Sequence, residues 1–192
     1  AGESRDAAIV NLDLRGFTPL AESHSPDAVM RLLADYQAEM VPIVRKHGGS
    51  IDKFLGDGIM ATFGASAGTD SYAADALRAV EEIMAAAAAW QARVEAEGRP
   101  CVPVNAAVAA GRVVFGAVGE QDRLEYTVIG EAVNLSAKLE KHNAALGSRA
   151  LATRHAYDTA RQQGYRPAEP IQEVPGARIE GVRQPVDLVR LA

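Results

Sequence analysis

A predicted β-hairpin around residue 57 limits the folds that this chain can adopt more than any other feature of its sequence. Two short apolar runs, Ile51–Leu55 and Ile59–Phe63, are separated by Gly56-Asp57-Gly58. An acidic residue between two glycines favours a tight turn between antiparallel strands. Residues 7–14, with the letters AAIVNLDL, form another largely apolar run. This run indicates a buried strand with an acidic residue near its end. Strands joined in this way argue against a strictly alternating parallel sheet.

Helix signals follow the strands at irregular intervals. Ser25 is suited to cap a helix, with Pro26 at the first helical position and Asp27 complementing the helix dipole. The pattern predicts an α+β fold with a ferredoxin-like core: a mainly antiparallel sheet, helices packed on one face, and an extension of C-terminal strands. The other predicted elements are a helix over Asp70–Glu97, paired strands Val102–Ala110 and Arg112–Val118 broken at Gly111, a strand at Tyr126–Ile129, a helix over Glu131–Leu146, and short strands around a helix near His155–Gln163.

Composition and charge set limits on the class of protein. The 192 residues are 48% apolar and 23% charged, so we expect one globular domain over residues 1–192. A net charge of −5 gives no basic face for nucleic acid. No apolar run reaches the roughly 18 residues of a membrane span, so we expect no membrane contact. Cys101 is the only cysteine, which favours the cytoplasm. Because the sequence does not begin with methionine, we expect it to be excised from a longer chain.

Two aspartates occupy positions that suit metal binding. Asp13 lies near the end of the first strand, just before a predicted turn into a helix, and Asp57 lies at the tip of the hairpin. Taken singly, Asp13 is suited to capping and Asp57 to forming a turn. Adjacent central strands would bring both carboxylates to one edge of the sheet. Two carboxylates beside a helix N-terminus predict a site for Mg²⁺ and phosphate.

Three blocks of sequence resemble class III adenylate and guanylate cyclases, in the order and at about the spacing of that family. They cover residues 13–18, 48–64 and 126–135, with the letters DLRGFT, GGSIDKFLGDGIMATFG and YTVIGEAVNL. The resemblance extends over residues 7–192. It implies the catalytic domain of an adenylate cyclase, which converts ATP to 3′,5′-cyclic AMP and pyrophosphate for intracellular signalling.

The resemblance also implies roles for individual residues. Asp13 and Asp57 would hold two divalent metal ions, Mg²⁺ or Mn²⁺, a cluster that in general stabilises the attacking and leaving oxygens. The phosphates would lie against the backbone N–H groups of a short turn, made of Leu14, Arg15, Gly16, Phe17 and Thr18.

Base recognition and ribose binding are implied for residues further along the chain. Lys53 and Thr127 would read the purine, and a lysine donor suits N1 of adenine and opposes guanine. Asn134 would orient the ribose. In the family each site forms across a head-to-tail dimer, so we expect a homodimer with two identical sites, and a fused or separate regulatory module is compatible with it.

The chain departs from the family at two positions. Lys138 stands where the family has an arginine that stabilises the transition state, and it lacks the planar fork of arginine. Asn105 stands where many members have a phosphate-binding arginine. Arg15, Arg112 and Arg123 are candidates to compensate, and Arg123 is the first to test.

Three alternatives remain beside the adenylate cyclase. The changes at Lys138 and Asn105 suit a catalytically weak or silent nucleotide-binding regulatory domain. A guanylate cyclase is the second alternative. A serine hydrolase is the third, because Gly64-Ala65-Ser66-Ala67-Gly68 matches the G-x-S-x-G pattern with Ser66 as nucleophile.

Overall fold

Eight strands and five helices make up the computed structural model, which describes residues 2–192. The three helices predicted over Asp70–Glu97, over Glu131–Leu146 and near His155–Gln163 each begin and end within two residues of those bounds. The elements in chain order are β1 (Glu3–Leu14), α1 (Phe17–Ser23), α2 (Pro26–Lys46), β2 (Ser50–Leu55), β3 (Gly58–Phe63), α3 (Tyr72–Ala96), β4 (Val104–Val118), β5 (Glu125–Ile129), α4 (Glu131–Leu146), β6 (Ala150–Thr153), α5 (Arg154–Gln162), β7 (Gln172–Ala177) and β8 (Val186–Arg190).

The sheet has the strand order β2-β3-β1-β4-β6-β8-β7, and β5 pairs with β4. β4 and β6 run parallel, and the other pairs are antiparallel. The predicted α+β fold with a mainly antiparallel sheet is therefore confirmed. β1 lies between β3 and β4. Residues at the adjoining ends of these three strands therefore lie close together.

The predicted break at Gly111 is wrong, because β4 runs without interruption from Val104 to Val118. Gly111 pairs with Ala7 inside an unbroken antiparallel register between β1 and β4. A side chain at position 111 would contact the methyl group of Ala132 at 3.6 Å. Gly111 thus lies inside the strand where helix α4 passes over it, and the space there would also accommodate a methyl group.

Apolar residues cover both faces of the central strand. Ala8, Val10 and Leu12 of β1 face the main core, which contains the buried residues of α2, α3 and α5. This packing of helices on one face is as predicted. Ala7 and Ile9 point the opposite way, into a smaller cluster that α4 covers. Because successive strand residues face opposite sides, a strand that is apolar on both sides requires this second layer, which the sequence interpretation did not include.

Helix signals at α2 act as the sequence predicts. The Ser25 hydroxyl accepts a hydrogen bond from the N–H of Ala28, and Pro26 is the first helical residue. Pro42 lies inside the helix without ending it. Among residues 2–192, no helix has the length and apolarity needed to cross a bilayer.

Candidate active site at the end of the central strand

A cleft of about 240 Å³ opens where β1 ends. Its walls come from the end of β1, the turn that follows it, the β2–β3 hairpin tip, the start of β4 and one face of α4. The residues that line it are Asp13, Leu14, Arg15, Gly16, Phe17, Thr18, Pro19, Asp57, Asn105, Glu140, Lys141 and Ala144.

Strand register brings the two predicted aspartates into this cleft. Leu12 pairs with Ile59 across β1 and β3, so Asp13 and the hairpin tip lie side by side. One carboxylate oxygen of Asp57 accepts a hydrogen bond from the N–H of Leu14, with an N···O distance of 3.0 Å. Asp13 is 9% exposed, and its Oδ1 is buried without a hydrogen-bond partner in the described chain. An unpartnered buried carboxylate oxygen suits a ligand that is absent from the protein alone.

The turn after Asp13 contains the five predicted phosphate-binding residues, but two of its N–H groups already have acceptors. Leu14 donates to Asp57, and Arg15 donates to the carbonyl of Pro103 at 2.8 Å. Gly16 has a positive φ of 74°, which glycine adopts without strain. Phe17 and Thr18 open α1, where backbone N–H groups lack intrahelical acceptors. The N–H groups free for an anion are therefore those of Gly16, Phe17 and Thr18.

Two charged residues of α4, Glu140 and Lys141, complete the cleft. The ammonium of Lys141 lies 3.1 Å from Oδ2 of Asp13 and 3.6 Å from Oε2 of Glu140. Burial, together with the neighbouring Asp13, raises the pKa of Glu140 to about 9. Burial acts to lower the pKa of Lys141, but its hydrogen bond to Asp13 and the surrounding carboxylates raise it overall. The Glu140 carboxyl therefore keeps its proton at neutral pH, next to Asp13 and the ammonium of Lys141.

Neither Glu140 nor Lys141 was predicted from the sequence. Glu140 is 4% exposed and lies on the same helical stripe as the buried Ser136, Leu139 and Asn143. A charged residue at a buried helical position is uncommon unless it has a partner. That irregularity in the α4 pattern was the available signal for Glu140. Lys141 had no comparable signal, because its contact with Asp13 spans 128 positions of the sequence.

We expect Glu140→Gln to stabilise the metal-free protein at alkaline pH. The Glu140 carboxyl has a higher pKa in the folded chain than in the unfolded chain, so the folded state binds more protons between about pH 5 and pH 9. Folding stability therefore falls as pH rises through this window, and glutamine removes the loss. We expect a gain of about 1–2 kcal/mol at pH 8, or roughly 2–8 °C in Tm.

Thermal unfolding in EDTA at pH 5, 7 and 8.5 measures this effect. Glu169→Gln, at an exposed glutamate, is the matched control and should leave Tm unchanged. The difference between Glu140→Gln and wild type should grow with pH. A gain that is equal at all three pH values would contradict the assignment of the raised pKa.

The residues of the cleft fit a divalent metal that is shared with a phosphate ligand. In residues 2–192 there is no cluster of three or more His, Cys, Asp or Glu side chains arranged to hold a metal alone. Mg²⁺ is commonly bound by one or two carboxylates, with water and substrate phosphates completing its shell. Asp13 and Asp57 supply two such carboxylates, and the unpartnered Oδ1 of Asp13 leaves an oxygen free for coordination.

The remaining predicted site residues lie outside this cleft. Lys53 is on β2, where its ammonium lies 3.4 Å from the buried carboxylate of Asp52. Thr127 is on β5 opposite Gly116 of β4. The ammonium of Lys138 donates to the carbonyl of Gly181 at 2.7 Å. Asn134, an exposed residue of α4, also lies outside the cleft, and so does Arg123, an exposed residue of the β4–β5 connection.

The other residues named as possible replacements for a missing arginine occupy different environments. Arg112 donates to the hydroxyl of Ser4 at 2.9 Å and lies outside the cleft. Arg15 lines the cleft, but its guanidinium donates to the carbonyl of Ser148 at 2.7 Å. Asn105 lies on the cleft wall, is 4% exposed, and has an Oδ1 without a partner in the described residues. This wall therefore offers no positive charge from position 105.

The Ser66 nucleophile hypothesis is not supported. A nucleophile elbow needs a sharp strand–serine–helix turn. Ser66 instead lies in an irregular segment, three residues after β3 ends and six before α3 begins. Its hydroxyl contacts the hydroxyl of Ser50 at 3.5 Å, and no histidine hydrogen bond to it occurs in the described part of the chain.

Comparison with known proteins indicates one protein family. The sequence model of the adenylate and guanylate cyclase catalytic domain matches residues 1–178. The uncharacterized protein Rv1318c of Mycobacterium tuberculosis is 37% identical over 84% of this chain and 28% of its own length. An adenylate cyclase of Anabaena cylindrica is 34% identical over 73% of this chain and 28% of its own length. The chain thus spans about a quarter of the length of the curated relatives it matches.

Solved structures agree with this result. The adenylyl cyclase CyaB from P. aeruginosa superposes with a TM-score of 0.86 at 25% identity, covering 99% of this chain and 95% of that protein. The guanylyl cyclase Cya2 superposes with a TM-score of 0.84 at 28% identity, covering 98% and 92%. The solved structures similar to this chain thus include both an adenylyl cyclase and a guanylyl cyclase.

Proposed function

The chain belongs to the adenylate and guanylate cyclase catalytic domain family, and on this premise we propose that it converts ATP to 3′,5′-cyclic AMP and pyrophosphate. The observation that carries the proposal is the convergence of Asp13 and Asp57 beside the turn at Gly16, in one cleft. Residues 1–192 would act as one catalytic domain within a longer signalling protein. The ribose 3′-hydroxyl would attack the α-phosphorus, and pyrophosphate would leave.

Asp13 and Asp57 would hold two divalent ions, Mg²⁺ or Mn²⁺, against the triphosphate. When bound, such ions lower the pKa of the attacking hydroxyl and offset charge on the leaving phosphates. The chain's own part would be to orient the phosphates. The N–H groups of Gly16, Phe17 and Thr18 would donate to the anion, and Asp57 fixes the turn by accepting the N–H of Leu14. Loss of the turn geometry would misplace the reacting phosphorus.

Two copies of the chain would be needed for a complete site. Lys53, Thr127, Asn134 and Lys138 lie outside the cleft that contains the two aspartates, so one chain would supply its residues to two different sites. Large apolar side chains are also exposed on the β2–β3 hairpin and on the β4–β5 pair, a pattern that marks interaction surfaces. The exposed set comprises Phe54, Leu55, Val114, Val118, Leu124, Tyr126 and Ile129. A head-to-tail homodimer would cover these residues and join Lys53 of one copy to Asp57 of the other.

The choice of ATP over GTP depends on Lys53 and Thr127. The side chain of Lys53 is 42% exposed. The register of β2 against β3 shifts between Ile51 and Lys53, and a shift of this kind changes the direction in which neighbouring side chains point. Its ammonium can donate to N1 of adenine, whereas guanine presents a donor at N1. We expect at least about a tenfold preference for ATP in kcat/KM, the scale of a mismatched polar contact.

An assay of the purified chain with ATP and GTP, each with Mg²⁺ and with Mn²⁺, tests the proposal by detecting the cyclic product. Formation of cyclic AMP above cyclic GMP is the expected result. Equal or greater cyclic GMP would favour the guanylate cyclase alternative. No cyclic product from either nucleotide, in all four mixtures, would reject the catalytic function.

A catalytically silent nucleotide-binding domain is the second candidate. It is favoured by Lys138, whose ammonium donates to Gly181 and lacks an arginine's bidentate fork, and by the neutral Asn105 on the cleft wall. Calorimetric titration with a non-cleavable ATP analogue, run beside the product assay, separates the two functions. Binding of the analogue without cyclic AMP formation would support the silent domain.

A further inference from the structure

The cleft has few cations available for a triphosphate. Asp13, Asp57 and Glu140 place three carboxyl groups on its walls, and the cations among its lining residues are Arg15 and Lys141. Arg15 is anchored by the 2.7 Å hydrogen bond that its guanidinium donates to the carbonyl of Ser148. A triphosphate with up to four negative charges needs charge-assisted donors to be bound firmly. Lys141 is therefore the cation with freedom to meet it.

Lys141 contacts the other charged groups of the cleft through its terminal ammonium. Its ammonium contacts Oδ2 of Asp13 at 3.1 Å, yet 78% of the side chain is exposed. A lysine has a flexible four-carbon stem and three donors on a compact head, so it can exchange one anion for another at low cost. Asn105 lies on the same cleft wall and brings no charge.

We infer that Lys141 is a phosphate-binding residue of this site, whose ammonium rests on Asp13 in the free protein and moves to the triphosphate when a metal ion binds Asp13. The inference deepens the proposed function, on which it rests, by assigning the phosphate-binding cation. A metal ion and an ammonium compete for the same carboxylate oxygens, so metal binding releases Lys141. The nearest new anion would be the nucleotide phosphate chain bound at the Gly16 turn.

The inference predicts opposite effects of one substitution on two ligands. Lys141→Met keeps the stem and removes the charge. Without the competing ammonium, we expect Mn²⁺ alone to bind about three- to tenfold more tightly. A non-cleavable ATP analogue at saturating Mn²⁺ should bind about tenfold more weakly, because one charge-assisted contact is lost. The corresponding analogue of AMP, which lacks the outer phosphates, should change by less than about twofold.

Calorimetric titration of both ligands into wild type, Lys141→Met, Lys141→Arg and Lys46→Met measures these changes. Lys141→Arg should retain analogue affinity. Lys46 forms a surface ion pair with Glu82 away from the cleft, so Lys46→Met controls for the loss of one positive charge. Tighter Mn²⁺ binding without weaker ATP-analogue binding would overturn the inference, and so would an equal loss for the AMP analogue. These binding results do not depend on product formation, so failure of the proposed cyclase activity would be recognised separately.

Discussion

We expect Asp57→Ala to lower cyclic nucleotide formation by about a thousandfold, the effect of removing several kcal/mol of charge stabilisation from the reacting phosphates. Asp57 has two functions in the proposed site. It supplies a carboxylate to the cleft, and its Oδ2 accepts the N–H of Leu14 and so fixes the turn. Alanine removes both. Steady-state assays with ATP and Mn²⁺ measure the loss.

Asp57→Asn separates the two functions, because asparagine keeps an oxygen acceptor for Leu14 but carries no negative charge. If the charge is the essential property, Asp57→Asn should lose nearly as much activity as Asp57→Ala while unfolding at a Tm closer to that of wild type. Asp13→Asn should lose a similar amount. Asp70→Asn, at an exposed position outside this cleft, is the control. Retention of more than about a tenth of the activity in Asp57→Asn would count against a metal-binding role.

The local features of the fold were predictable because their signals are local. Ser25 and Pro26 mark the start of α2, and Gly56-Asp57-Gly58 marks a hairpin that the structure shows between β2 and β3. The register of β2 against β3 follows from this short connection. Asp13 and Asp57 meet through the pairing of β1 with β3, which joins segments that are far apart in the sequence.

Features that depend on contacts between distant segments were not predictable in the same way. Gly111 suggests a break when it is taken alone, but β1 pairs with β4 on both sides of it, so the strand continues through this position. The contact of Lys141 with Asp13 depends on α4 crossing the second face of the sheet. Neither the crossing nor the resulting charge cluster has a signature in the order of residues near position 141.

The separation of the predicted site residues into two groups is the structural basis of the dimer proposal. Asp13, Asp57 and the Gly16 turn share a cleft, whereas Lys53 and Thr127 are on strands beyond its walls. Lys53 and Asp57 are only four residues apart in the sequence, yet they would serve different sites. A site that uses both residues from one chain and a site that divides them between two chains predict opposite results when damaged chains are combined.

Combining Lys53→Glu and Asp57→Asn chains in one dimer should restore activity that neither variant has alone. Each chain is given a different affinity tag, and tandem purification isolates the mixed dimer. One of its two sites then contains Asp57 from the Lys53→Glu chain and Lys53 from the Asp57→Asn chain. That site is intact and the other is doubly damaged, so we expect about half of the wild-type activity per dimer. The product assay with ATP and Mn²⁺ measures it.

The pair Asp13→Asn and Asp57→Asn provides the matched control, because the structure puts these two acids in the same cleft of one chain. In that mixed dimer each cleft has lost one of its two carboxylates, and activity should stay at the level of the single variants. Rescue by the first pair and none by the second is the pattern of a site divided between Lys53 and the two aspartates. If both pairs stay inactive while the purified chains remain dimeric, Lys53 and Asp57 act within one chain and the head-to-tail arrangement is wrong.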